Sequence, residues 1–179
     1  MIARKIGQVV LECAQGDIAG QRDIEAVVNA ANAELRTGGG VAGALHRAAG
    51  PGLEEECRPL APIAPGQAVI TGAHRLPNRF VIHCLGPVYG RDEPSEELLA
   101  SCYREALDIA EQHAIVSIAF PAISTGAFGF PMAAAARIAF GTIVHKVPGL
   151  VSLTRIRFVL HGRADFELHS RVLAEVLQR

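Results

Sequence analysis

Apolar residues follow two different periods along this chain, and the two kinds of segment alternate. Short runs rich in Val and Ile predict buried strands, while longer segments with apolar residues three and four positions apart predict helices that bury one face. The predicted strands cover residues 6–14, 25–28, 67–73, 79–85, 117–121 and 155–160. The predicted helices cover residues 41–49, 51–60, 95–113, 132–147 and 166–177. This alternation predicts an α/β protein with a mixed, largely parallel central sheet between layers of helices.

Length and composition narrow the class of protein. A chain of 179 residues predicts a single domain over residues 1–179 with one well-buried core. The net charge of −1, with no basic run, argues against nucleic acid or an anionic membrane as a partner. The first residues lack the apolar core of a signal peptide, and no apolar run is long enough to span a bilayer. We therefore expect a soluble cytoplasmic protein.

The four cysteines favour the same compartment. They are Cys13, Cys57, Cys84 and Cys102, which are widely spaced and contain no CxxC pair. Most of them sit in apolar segments, where a free cysteine behaves as a small hydrophobic residue. A reducing environment fits this pattern, although four cysteines can in principle form two disulfides.

The most informative segment follows the second predicted strand. Asn29 and Asn32 come directly after Val27-Val28, and Gly38, Gly39 and Gly40 then lead into a predicted helix. Adjacent glycines let backbone N–H groups turn toward one point, and the helix adds the positive end of its dipole at the same place. These features favour a phosphate, and the asparagine amides favour sugar hydroxyls beside it.

A second loop with similar properties follows the strand at 117–121. Ser124, Thr125 and Gly126 offer hydroxyl and amide groups ahead of another predicted helix, and Phe128 offers an aromatic ring. Since ligands of such sheets bind beyond the carboxyl ends of the strands, the two loops are expected to face each other. Two facing anion-binding loops suit a diphosphate, and Asp17 can accept a hydrogen bond from a base amino group. The combination predicts a nucleoside diphosphate that carries a further sugar.

Other chemistries find less support in the chain. The seven histidines form no i, i+4 pair and no cluster with cysteine, so no metal site is predicted. Gln15-Gly16-Asp17 does not supply the GxGxxG turn of dinucleotide oxidoreductases, and Ser124 is not in a GxSxG elbow. We therefore predict no cofactor. Taken singly, Asp17 can also serve as a cap, and the two asparagines can brace turns.

Several segments, in this order, together resemble the macro domain, an ADP-ribose-binding module with a three-layer α/β/α fold. They are Gly16-Asp17-Ile18, Val28-Asn29-Ala30-Ala31-Asn32, Gly38-Gly39-Gly40-Val41, His46-Arg47-Ala48-Ala49-Gly50-Pro51, Glu56-Cys57-Arg58, Val81-Ile82-His83-Cys84-Leu85-Gly86-Pro87 and Pro121-Ala122-Ile123-Ser124-Thr125-Gly126. The pattern looks most like the MacroD-type branch, whose members hydrolyse mono-ADP-ribose from acidic side chains and deacetylate O-acetyl-ADP-ribose. The resemblance implies ADP-ribose or an ADP-ribosylated protein as the partner.

The resemblance also implies roles for individual residues at the two ends of the ligand. Asp17 would accept a hydrogen bond from the adenine amino group, and the Ile18 backbone would lie beside the base. His161 stands where relatives often place an aromatic ring against adenine. Asn29 and Asn32 would face the distal ribose. Asn32 would also help to hold a nearby water and is the candidate catalytic residue.

The resemblance further implies that two loops would enclose the diphosphate and the distal ribose. One side would be formed by Gly38, Gly39, Gly40 and Val41 and the other by Ser124, Thr125, Gly126, Ala127 and Phe128. Neither loop contains lysine, which argues against the branch that forms a covalent lysine adduct.

The main departure from the MacroD-type pattern is Ala42, where those enzymes commonly carry an aspartate that positions the attacking water. Loss of a general base slows a reaction by roughly 10²- to 10⁴-fold. The family mechanism is usually described as assisted by the substrate's own phosphate, so hydrolysis is expected to be weakened without being lost. The alternative is a module that binds ADP-ribose without chemistry. A phosphatase acting on an ADP-ribose phosphate and an RNA-binding protein are weaker alternatives.

Overall fold

A single seven-stranded sheet organises the chain, of which a computed structural model describes residues 1–178. The strands are β1 (Ile2–Ile6), β2 (Val9–Gln15), β3 (Ala26–Ala30), β4 (Ala68–Gly72), β5 (Phe80–Cys84), β6 (Ser117–Phe120) and β7 (Arg155–Leu160). Their order across the sheet is β1-β2-β7-β6-β3-β5-β4. The five inner strands are parallel, and the edge strands β1 and β4 are antiparallel to their neighbours.

Helices cover both faces of this sheet. They are α1 (Gly40–Ala49), α2 (Pro51–Cys57), α3 (Ser95–Gln112), α4 (Met132–Lys146) and α5 (Arg163–Leu177). Side chains alternate along each strand, so Val28 packs in a cluster with α3, α4 and α5, and Val27 packs in the opposite cluster with α1 and α2. The predicted three-layer α/β/α fold with a mixed, largely parallel sheet is confirmed. Among the described residues, no helix has both the length and the apolar character needed to cross a membrane.

Several predicted boundaries differ from those in the structure. The first predicted strand, 6–14, contains the last residue of β1, a hairpin turn at Gly7, whose φ is 56°, and β2 up to Ala14. The β1 edge strand was missed because its central residues, Ala3 to Lys5, are exposed and break the apolar pattern. The predicted helix 51–60 ends at Cys57 and continues only as a 3-10 turn that contains Pro59.

The parallel arrangement brings the loops of interest together. The carboxyl ends of β2, β3, β6 and β7 meet at one edge of the sheet, as expected for parallel strands. Asp17 follows β2, Asn32 follows β3, Ser124 follows β6 and His161 follows β7. Residues far apart in the sequence are therefore neighbours at this edge.

A buried polar cluster lies under α2 beside this edge. His83 on β5 is fully buried, and its Nδ1 lies 3.1 Å from Asn29 Nδ2 on β3, the residue with which it pairs in register. Its Nε2 lies 2.9 Å from Thr71 Oγ1 and 3.6 Å from Cys57 Sγ. Since the Nδ2 group of Asn29 can only donate, Nδ1 is the acceptor and Nε2 carries the proton. Burial lowers the pKa of His83 to about 3, so the ring is neutral in the folded protein.

This histidine makes the stability of the fold dependent on pH. The pKa of His83 is lower in the folded state than in the unfolded chain, so protonation favours the unfolded chain. The free energy of unfolding is therefore highest above the unfolded pKa and decreases as the pH falls from that value toward the folded pKa. Between pH 7 and pH 5, His83 should account for a loss of about 2 kcal/mol in the free energy of unfolding. Urea unfolding of the wild type and His83→Gln at both pH values measures this. Equal losses in the two proteins would contradict the expectation.

Candidate functional site

Two adjoining cavities form one groove across the carboxyl edge of the sheet. The first, of about 320 Å³, is called the asparagine cavity because Asn32 lines it. The second, of about 470 Å³, is called the aspartate cavity because Asp17 lines it. They share four lining residues: Gly40, Val41, Ala122 and Gly126. A single elongated ligand can therefore occupy both cavities and pass between the two loops that the shared residues belong to.

One wall of the groove is the glycine loop at the start of α1. Gly39 is the N-cap residue, Gly40 has a φ of 55°, and within the described chain no side chain caps this helix end. The first N–H groups of a helix have no intrahelical acceptor, so those of α1 are free to bind an anion. Gly38, Gly39, Gly40 and Val41 all line the asparagine cavity.

Asn32 holds the approach to this loop in shape. Its Nδ2 donates to the carbonyl of Arg36 at 2.8 Å, and its Oδ1 accepts from the Arg36 N–H at 3.0 Å. The side chain lies beside Gly38, because a Cβ atom at that glycine would be 3.4 Å from Asn32 Nδ2. Asn32 therefore both lines the asparagine cavity and fixes the chain that enters the glycine loop.

The opposite wall is the loop that follows β6. Ser124, Gly126, Ala127 and Phe128 line the asparagine cavity, whereas Thr125 lines the aspartate cavity. A hydrogen bond from the Phe130 N–H to the Ser124 carbonyl, at 2.9 Å, closes the loop on itself. Ser124 has a φ of 66°, and its buried Oγ finds no hydrogen-bond partner among the described residues. Backbone strain of this kind is enriched at ligand-binding loops, whereas the hydroxyl is shielded from the cavity and lies close to Gly86.

The aspartate cavity contains the remaining predicted residues. Asp17 is exposed, and its Oδ1 accepts from the Ala19 N–H at 2.9 Å, which caps the 3-10 turn Ile18–Gly20. The capping alternative is therefore observed, and the same residue still lines the cavity. Ile18 is buried in the core, and the exposed His161, which follows β7, also lines the cavity.

The structure does not bring Asn29 to the groove. Because β3 continues to Ala30, Asn29 is a strand residue whose side chain lies on the α1–α2 face, paired with His83. It is fully buried and is not among the residues that line either cavity. Its amide supports the sheet beneath the site.

Sequence reasoning also missed a part of the wall. Gly86 lines the asparagine cavity, and a Cβ atom at this position would overlap Ser124 Oγ. The signal was present, since Gly86-Pro87 follows β5 at the same edge of the sheet. A glycine is needed there because the backbone of one loop lies directly against a side chain of the next.

The electrostatics of the asparagine cavity are unusual for a site that could hold an anion. Within the described chain, its lining includes no Asp, Glu, His, Lys or Arg, so the charge of a ligand would meet backbone N–H groups and a helix dipole. His46 on α1 is buried close behind, and burial lowers its pKa. Over residues 1–178, no three His, Cys, Asp or Glu side chains are grouped to hold a metal ion.

Comparison with known proteins gives consistent matches. The family model described as Macro domain matches residues 28–139. The O-acetyl-ADP-ribose deacetylase of Citrobacter rodentium (strain ICC168) is 46% identical over 157 residues, which are 85% of this chain and 89% of that protein. The Oceanobacillus iheyensis macrodomain solved with ADP superimposes with a TM-score of 0.95 at 36% identity, over 99% of this chain and 96% of that one.

A more distant structure extends the comparison to a second ligand. The Trypanosoma brucei macrodomain in complex with ADP-ribose matches with a TM-score of 0.83 at 33% identity, over 90% of this chain and 68% of that one. The family match covers more than half of the described chain, and the structural likeness extends across nearly all of it. The chain therefore belongs to the macro domain family.

Proposed function

We propose that this chain binds ADP-ribose along the groove and hydrolyses esters of its distal ribose. The substrates would be mono-ADP-ribose on acidic side chains and O-acetyl-ADP-ribose. The observation that carries the proposal is that Gly40 and Val41 from one loop and Ala122 and Gly126 from the other line both cavities. A diphosphate at the shared residues would place one ribose in each cavity.

The aspartate cavity supports adenine at one end. Asp17 presents a carboxylate, which can only accept, to the amino group of the base, and Ile18 and Val159 provide apolar contact below it. His161 lines the same cavity and offers an imidazole ring that can stack on the base. The absence of a cation in this cavity, within the described chain, favours the neutral base over a further phosphate.

The asparagine cavity supports the distal ribose and the reaction. Asn32 offers an amide to the sugar, and Phe128 offers an aromatic ring. No side chain that could act as a base lines this cavity in the described chain. The proton of the attacking water would therefore pass to a phosphate oxygen of the substrate. Water would add to the ester carbonyl carbon, the bond from that carbon to the ribose oxygen would break, and the phosphate would return the proton to the leaving ribose oxygen.

The chain should bind ADP-ribose about tenfold or more tightly than ADP, because only ADP-ribose fills the asparagine cavity with a sugar. Calorimetric titrations with ADP-ribose, ADP and AMP measure this. AMP, which lacks the second phosphate and the second sugar, should bind more weakly still. Equal affinities for ADP-ribose and ADP would mean that the distal ribose adds no binding energy, and they would contradict the proposed role of Asn32.

Turnover is tested on the same protein with O-acetyl-ADP-ribose and with a protein mono-ADP-ribosylated on glutamate. The expected products are acetate from the first substrate and free ADP-ribose from the second. The second candidate function, a binding module without chemistry, is favoured by Ala42, which replaces the carboxylate expected at this cavity. A modified protein that stays intact over hours while free ADP-ribose still binds would establish that alternative.

A further inference from the structure

A buried ion pair lies inside the sheet, next to the strand that leads to Asp17. Arg157 on β7 and Glu12 on β2 are partners in register, and Arg157 Nε lies 2.7 Å from Glu12 Oε2. Both side chains are less than a tenth exposed. Taking two charges out of water is costly, and replacing such pairs by apolar residues is often neutral or stabilising. A contribution to stability therefore does not by itself explain why this ion pair is present.

The other end of the guanidinium reaches the loop that carries Asp17. Its Nη1 donates to Gln21 Oε1 at 2.9 Å, and Nη1 and Nη2 donate to the two carboxylate oxygens of Asp23 at 2.9 and 2.8 Å. The guanidinium thus binds the Asp23 carboxylate through two parallel hydrogen bonds, an arrangement called the fork below. These hydrogen bonds lower the pKa of Asp23 to about 2. The loop is thus tied to the sheet by a charged, directional contact that holds across the neutral pH range.

Gln21 continues the connection to the residue at the groove. Its Nε2 donates to the backbone carbonyl of Asp17 at 2.8 Å. Glu12, Arg157, Gln21 and Asp17 therefore form one unbroken chain of hydrogen bonds from the sheet interior to the wall of the aspartate cavity.

We propose that Arg157, acting through Gln21, is a positioning residue that fixes the Asp17 carboxylate for recognition of the adenine amino group. The inference rests on the proposed function, which places adenine in this cavity. Glu12 holds the guanidinium in one orientation, and the fork then sets where Gln21 holds the Asp17 backbone. Adenine specificity thus depends on residues that never touch the ligand.

The geometry requires arginine at this position. A lysine ammonium keeps the charge beside Glu12, but a single nitrogen cannot reproduce the planar fork that serves three acceptor groups at once. The loop has a second, independent support, because Asn78 Nδ2 donates to the carbonyls of Gln21 and Ile24, both at 2.7 Å. Loss of the fork should therefore shift Asp17 without unfolding the loop.

The test compares ADP-ribose with inosine diphosphate ribose, whose base carries a carbonyl oxygen in place of the amino group. In Arg157→Lys and Gln21→Ala, affinity for ADP-ribose should fall about tenfold, while affinity for the inosine analogue changes less than twofold. The double variant should lose no more than either single one, because both break the same chain. Arg137→Lys, which alters an exposed pair with Glu175 on the helical face, is the matched control.

Hydrogen–deuterium exchange of the ligand-free protein gives a readout that does not depend on the ligand. The Ala19 N–H, which the Asp17 carboxylate accepts, should exchange faster in both variants than in the control. Unchanged exchange there, or an unchanged ratio of the two affinities in folded variants, would overturn the inference alone. Failure of the wild type to bind ADP-ribose at all would overturn the proposed function and this inference with it.

Discussion

Gly43→Ala should weaken ADP-ribose binding by roughly 100-fold or more while the sheet and helices still form. Gly43 is a buried residue in the first turns of α1, and a Cβ atom there would overlap the backbone carbonyl oxygen of Gly38. The same atom would lie 2.8 Å from Arg47 Nη1, which can move away. The carbonyl can move only if the glycine loop moves, and that loop forms one wall of the groove.

A matched substitution separates this steric effect from the general effect of alanine in a helix. Gly141 lies inside α4, and a Cβ atom there would meet nothing within 4 Å. Gly141→Ala should stabilise the fold by about 1 kcal/mol, since alanine is the better helix former, and should leave binding unchanged. Thermal unfolding followed by circular dichroism checks that both variants are folded, and calorimetry measures binding. Wild-type affinity in Gly43→Ala would show that the loop adapts and that its geometry does not control the site.

The groove shows which parts of a binding site can be predicted from the sequence. The structure brings the two predicted loops together as the walls of one groove, and glycines and short polar residues after a buried strand marked both loops in the sequence. The parallel sheet then brings these strand ends to one edge. Phe128 and His161 lie at the groove for the same reason, since each follows the end of a parallel strand.

The residues that the sequence did not reveal, or that the structure places elsewhere, depend on tertiary contacts. Asn29 has the residue type of a ligand contact, but whether a strand ends before or after it decides the face on which its amide lies. Arg157 and Glu12 lie in different strands, and nothing local in the sequence shows that they pair in register. Gly86 matters because of one close approach to Ser124, which only the folded structure reveals.

The Ala42→Asp variant should raise the rate of ester hydrolysis by roughly 10- to 100-fold, less than the full effect of a general base, because the substrate phosphate already accepts the proton. Ala42 is almost fully buried and lines the asparagine cavity. It is the third residue of α1, where a carboxylate is stabilised by the helix dipole, and no acidic residue occupies that turn now. The fold should therefore tolerate the aspartate, and the cavity would gain a titratable group.

Ala42→Asn is the control, since it has nearly the same shape as the aspartate but cannot accept the proton. Single-turnover rates with O-acetyl-ADP-ribose, measured beside affinity for ADP-ribose, separate chemistry from binding. A gain confined to the aspartate identifies the missing carboxylate as a base that the wild type works without. Equal gains in both variants would instead mean that position 42 acts by filling space near Asn32. If the wild type hydrolyses the ester no faster than the uncatalysed background and Ala42→Asp raises the rate by more than about 10³-fold, the wild type is a binding module that a single carboxylate converts into an enzyme.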